Sequence, residues 1–141
     1  MEELWALTAA EISKLFKAKE VSAVEICNDT IEHIEKINPK INAIVVDTFV
    51  EARKTASTLD KKLKNKEDLG SLAAVPVTIK VNTDQIDYAS TNGLRIQKEL
   101  IATKDSPVVK NLKSSDALIV GRTNTPAFSI HWFTRNSLHG H

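Results

Sequence analysis

Apolar and polar residues alternate along VPVTIKVN, residues 75–82. An extended strand gathers Val75, Val77, Ile79 and Val81 on one face and Pro76, Thr78, Lys80 and Asn82 on the other. Elsewhere the repeat lengthens to three or four. Ile12, Leu15 and Phe16 follow Thr8 at helical spacing, and Val24, Cys27, Ile31 and Ile34 follow Ser22. Both helix starts carry a capping box, Thr8 with Glu11 and Ser22 with Glu25, in which hydroxyl and carboxylate satisfy each other's backbone N–H. The second helix is expected to stop at Asn38-Pro39, because a residue before proline disfavours helical backbone.

INAIVV, residues 41–46, is short and β-branched and reads as a strand. Ala52, Ala56, Leu59 and Leu63 mark a third helix, followed by a polar loop with Gly70. Residues 83–103 are irregular, with a turn signal at Asn92-Gly93. Ser106-Pro107 forms an N-cap and N1 pair that opens a short helix through Leu112. ALIVG, residues 117–121, reads as a buried strand, and the aromatic tail after it fits no single period. The order α-α-β-α-β-α-β predicts an α/β fold, with helices packed on a mixed, partly parallel sheet.

Composition narrows the class. A chain of 141 residues, 42% hydrophobic and 26% charged, suits one globular domain. A formal net charge of +1 gives no electrostatic case for a nucleic-acid partner. The basic run at residues 61–68 is broken by acids and reads as an exposed helix end. A single cysteine, Cys27, falls on the apolar stripe of the second helix; it reads as core and suits a reducing compartment. No stretch approaches the ~20 apolar residues of a membrane span, so the expectation is a cytoplasmic protein with no membrane partner.

Candidate chemistry is sparse. His33 lies in a charged helical stretch, and His139-x-His141 reads as a frayed tail rather than a metal site. The four glycines form no phosphate loop, and there is no nucleophile elbow. Asp84 and Asp87 lie in a loop and define no acid/base pair. No metal and no cofactor is implied. On the residues alone, Lys80 is either an ordinary surface lysine or a basic group held at the edge of an active site.

The order of segments adds more. LTAAEISKLFKAKEVSAVEI, NPKINAIV, LGSLAAVPVTIKVN, SPVVKNLKSSDALIVGRTNTPAFS and WFTRNSLHG together resemble the N-terminal part of the amidase signature family. That family includes the A subunit of the tRNA-dependent amidotransferase and fatty acid amide hydrolase. The resemblance implies residues 1–141 as a truncated N-terminal part of an amidase domain, and a triad of nucleophilic serine, cis-bonded bridging serine and lysine. The lysine would be Lys80, at the end of a strand of pattern G-[IV]-P-x-x-[IV]-K-D, acting as general base through the bridging serine. Such a base must be held neutral, which asks for a closed, packed site.

The departures are equally definite. The glycine- and serine-rich stretch that follows N-x-L-H-G in the family, and carries both serines, is absent from the sequence. Ala74 replaces the family glycine before Val75, and Val81 replaces the aspartate after the lysine. Ser115-Asp116-Ala117 replaces A-G-A before G-K-T-N, and Ala127 replaces a glutamate. The expectation is an amide C–N hydrolase segment that is inactive alone and that acts on a small-molecule amide only when completed. Uncovered apolar surface implies a homo-oligomer or a complementing chain. The alternatives are one half of a split amidase, a piece of a longer amidase, or a non-catalytic binding or structural module derived from one.

Overall fold

The computed structural model describes residues 3–141. Four helices and three strands follow in the order α1 (Ala9–Lys17), α2 (Ala23–Ile41), β1 (Ile44–Asp47), α3 (Phe49–Lys64), β2 (Pro76–Lys80), α4 (Pro107–Ser114) and β3 (Leu118–Thr123), with short 3-10 turns before α1, between β2 and α4, and after β3. The sheet order is β1-β3-β2. β3 pairs antiparallel with β1 and parallel with β2, so the sheet is mixed, as the alternation of strands and helices predicts.

Both capping boxes form. The Glu11 backbone N–H donates to Thr8 Oγ1 at 3.3 Å, while the Thr8 N–H donates to Glu11 Oε2 at 2.8 Å. The pair Ser22 and Glu25 repeats the arrangement at 3.1 and 2.9 Å. A tertiary cap is added at α2: Asp60 of α3 accepts from the Ala23 N–H at 2.7 Å and the Val24 N–H at 3.3 Å. A carboxylate at a helix N-terminus faces its unpaired donors and the positive end of its dipole. Asp60 therefore fixes how α3 lies against α2.

The second helix corrects one expectation: it runs through Pro39 to Ile41. Pro39 sits in the last turns, where its missing N–H removes a single helical bond. Asn38 compensates from its side chain, accepting from the Ile44 N–H and donating to the Ile44 carbonyl, both at 2.8 Å. Asn42, in the left-handed region at φ 48°, then ends the helix. β1 consequently begins at Ile44 rather than at residue 41.

The main core lies between the helices and one face of the sheet. Ile12 and Phe16 of α1, Ile26, Cys27 and Ile31 of α2, and Ala52, Ala56 and Leu59 of α3 close over Val75, Leu118 and Val120. Cys27 is buried, as its place on the helical stripe predicts. A smaller cluster of Ile79, Val109 and Ile119 seats α4. Gly121 lets β1 approach β3, since a Cβ there would lie 2.7 Å from Ile44 Cγ2. Among the described residues, no helix is long and apolar enough to cross a membrane.

Candidate active-site strand

Lys80 is the last residue of β2 and pairs with Thr123 of β3. Its side chain is exposed, whereas Ile79 and Val81 on either side are buried. The alternation therefore holds around the lysine. Among the described residues, Lys80 Nζ has no hydrogen-bond or ion-pair partner, and the next residue, Val81, is fully buried. The described residues thus hold the lysine's backbone rigidly without closing a site around its amine.

The backbone beyond Lys80 is pinned from β3. Arg122 is fully buried and pairs in register with Ile79. Its guanidinium donates to the Thr83 carbonyl at 2.8 Å and the Ala89 carbonyl at 3.0 Å, clamping both ends of the loop that leaves β2. It lies 5.5 Å from the centre of the Tyr88 ring, a cation–π distance. Burial pulls the guanidinium down from its ordinary value, while Tyr88 and Asp84 oppose that. Burial, with Glu51 and Asp47 adding to it, pushes the Tyr88 hydroxyl up to about 12. Arg122 was not among the sequence-based candidates; an arginine inside the apolar run LIVGRT was the available signal.

A network of amides and hydroxyls occupies the same end of β2. Asn82 Nδ2 donates to Ser129 Oγ at 2.9 Å, and Ser129 Oγ lies 2.7 Å from Thr125 Oγ1. Asn136 Nδ2 donates to Asn124 Oδ1 and to the Thr125 carbonyl, both at 2.7 Å. Its Oδ1 accepts the N–H groups of Leu138 at 2.9 Å and His139 at 2.6 Å. Phe128 and Ser129 both adopt positive φ, 54° and 60°. Non-glycine residues persist there only where the surroundings over-determine them.

The frayed tail expected at His139 is corrected by the structure. His139 is half-buried, its Nε2 lies 3.3 Å from Thr91 Oγ1, and Asn42 Nδ2 donates to its carbonyl at 2.7 Å. Burial lowers the imidazole below its ordinary value. His33 also has a partner, stacking on Trp5 with ring centroids 3.6 Å apart. Among the described residues, no group of three His, Cys, Asp or Glu side chains is placed to hold a metal.

Two family glycine positions fall at left-handed backbone: Ala74 at φ 64° and Asp116 at φ 62°. The Asp116 carboxylate is held by Lys62 Nζ at 2.9 Å and by the Gly70 N–H at 2.7 Å.

Comparison with known proteins agrees with this architecture. The family model described as Amidase matches residues 25–141, and the chain belongs to that family. It is 40% identical over 137 residues to an indoleacetamide hydrolase of Bradyrhizobium diazoefficiens, covering 97% of this chain and 26% of that protein. It is 40% identical over 135 residues to the A-type subunit of the glutamyl-tRNA(Gln) amidotransferase of Carboxydothermus hydrogenoformans, covering 96% of this chain and 28% of that one. A bacterial aryl acylamidase of the amidase signature family superposes with a TM-score of 0.91 at 32% identity, over 95% of this chain and 28% of its own. The chain therefore spans about a quarter of the length of the relatives it matches.

Proposed function

We propose that these residues form the N-terminal, lysine-bearing part of an amide-hydrolysing site, with Lys80 as general base and both serines supplied by polypeptide outside them. The observation that carries this reading is the position of Lys80: it ends β2, rigidly paired to β3, with its side chain free. Family membership over residues 25–141 supports it.

In the proposed reaction, Lys80 takes a proton through the bridging serine, and the freed serine oxygen attacks the amide carbonyl. The C–N bond breaks, the amine leaves with a proton, and water hydrolyses the serine ester. Within this chain, the pairing of β2 with β3 and the Arg122 clamp would position the base. A supplied serine segment would close the site and exclude water from the amine, which favours its neutral form. In this reading residues 1–141 turn over amide only together with that segment. The substrate class is a small-molecule amide. The partner is a complementing chain or a copy of this one, and the buried thiol of Cys27 suits a cytoplasmic, reducing setting.

A second reading, a non-catalytic module, draws on Val81, which is buried where the family pattern has an acid beside the lysine. One experiment separates the two. The protein is mixed with a separately produced polypeptide comprising the part of the Bradyrhizobium indoleacetamide hydrolase beyond the matched segment, and indoleacetamide hydrolysis is followed. That relative's own matched segment serves as the positive control. Restored turnover supports the catalytic reading. Turnover with the control segment but none with this chain supports the module.

A further inference from the structure

Positions 81 and 122 both depart from the family pattern, which has an aspartate after the lysine of β2 and a lysine in the G-K-T-N of β3. Here they are Val81 and Arg122. Both are fully buried. β2 and β3 run parallel, with Ile79 level with Arg122 and Lys80 level with Thr123. Residues level with one another on neighbouring strands share a face, and successive residues alternate. Ile79, Val81 and Arg122 therefore lie on one face, and Lys80 lies on the other. Burial agrees, since Ile79 and Val81 are buried and Lys80 is exposed.

The course of the arginine takes it past position 81. Its backbone is level with Ile79, and its guanidinium reaches forward to the Thr83 carbonyl at 2.8 Å. The stem thus runs along β2 beside Val81. Among the described residues, no carboxylate lies within ion-pair distance of the guanidinium. Its charge is met by the Ala89 and Thr83 carbonyls, held by Nη1 and Nη2 respectively, and by the face of Tyr88. Nε, the guanidinium nitrogen nearest the stem, is buried with no hydrogen-bond partner. An unpaired buried donor is costly, and so is a buried cation without a counter-charge. A lysine carries one compact ammonium, whereas the planar fork of an arginine sends donors to two acceptors at once.

We propose that residues 81 and 122 act as one positioning pair for the loop that leaves β2: an acid at 81 is the counter-charge of the cation at 122, and in this chain the two-carbonyl clamp of Arg122 replaces that ion pair. Position 81 thus serves residue 122 across the strands, and not the amine of Lys80 on the opposite face. Valine at 81 takes no partner from the lysine. The pairing rests on strand register and burial inside the chain, and it stands whether or not the site hydrolyses amide.

Urea unfolding of the full chain at neutral pH tests it through a double-mutant cycle. Val81→Asp places a carboxylate beside Arg122 Nε and should leave the chain folded. Combined with Arg122→Met, the same change buries a carboxylate with no counter-charge, and should lower the folding constant roughly tenfold or more beyond its effect in the wild-type background. Combined with Lys80→Ala, its effect should match that in wild type within about twofold. Amide hydrogen exchange supplies a rescue. Arg122→Lys should speed exchange in residues 83–89 by roughly tenfold or more, and V81D/R122K, which restores both residues of the family pattern, should bring it back close to the wild-type rate. A V81D chain that folds with Arg122 and fails to fold with Arg122→Met is the coupling at its limit and supports the pair. A V81D chain unfolded in both backgrounds overturns the proposal. So do equal effects of V81D with and without Arg122→Met, a coupling to Lys80 instead, or an Arg122→Lys defect that V81D leaves untouched.

Discussion

The Ala74 N–H donates to the Asp116 carbonyl at 3.1 Å, joining two residues that both hold left-handed backbone. Beside this bond the Leu72 N–H donates to the Ser115 carbonyl at 3.0 Å, so the approach to β2 is stitched to the approach to β3. Left-handed backbone costs a non-glycine residue roughly 1–2 kcal/mol. Asp116 offsets that cost with its bonds to Lys62 and Gly70. Asp116→Ala keeps the strained backbone and loses both bonds, and should lower stability to urea by roughly 2 kcal/mol. Asp116→Gly relieves the backbone and should cost less. Equal losses in the two variants would contradict this account.

Gly70 is fixed by space. A Cβ there would lie 2.3 Å from the Ser115 carbonyl carbon, a backbone atom that cannot rotate away. Gly70→Ala should destabilise by about 3 kcal/mol, measured by urea unfolding, while Gly140→Ala, where the nearest atom is 3.7 Å away, should cost less.

The capping carboxylates give stability an acid limb. Glu11 and Glu25 are held below their ordinary value of 4.5 by hydrogen bonds from Thr8 and Ser22 respectively, side chain first and backbone second. A carboxyl lowered on folding contributes stability above its unfolded value and loses it as pH falls through the folded one. The thermal midpoint of the protein should therefore fall below about pH 4.5, and the fall should be shallower in the double variant Thr8→Ala/Ser22→Ala. An unchanged acid limb in that variant would contradict the assignment.

Arg122 can be tested without activity. Arg122→Met removes the bonds to Thr83 and Ala89 but keeps an apolar stem in its buried site. Amide hydrogen exchange in residues 83–89 should speed up by at least tenfold, with β2 itself little changed. Uniform acceleration across the chain would show a general loss of stability instead.

Much of this was legible in the sequence because the signals were local. The Thr8 and Ser22 boxes span four residues, and the alternation around Lys80 spans eight, so short-range physics fixes them. Pro39 misled because its cost is offset by an Asn38 clamp on Ile44, across a chain reversal the helical pattern does not contain. The tail network was illegible for a similar reason. Ser129 finds Asn82 from 47 positions away, and His139 is held by Asn42 from 97 positions away. Nothing in an aperiodic aromatic stretch encodes such partners. Ala74 and Asp116 stand where the family has glycines; the sequence showed the substitutions, and only the backbone angles show what the glycines were for.

Lys80 carries the central claim, and it is exposed, so its removal can be read without loss of the fold. The most direct measurement is kcat of amide hydrolysis by the protein reconstituted with the serine-bearing polypeptide, comparing wild type with Lys80→Ala. With the lysine as general base, kcat should fall by about 10²–10⁴-fold while the complex and its thermal midpoint stay intact. A reconstituted Lys80→Ala protein that turns over at the wild-type rate would contradict the account.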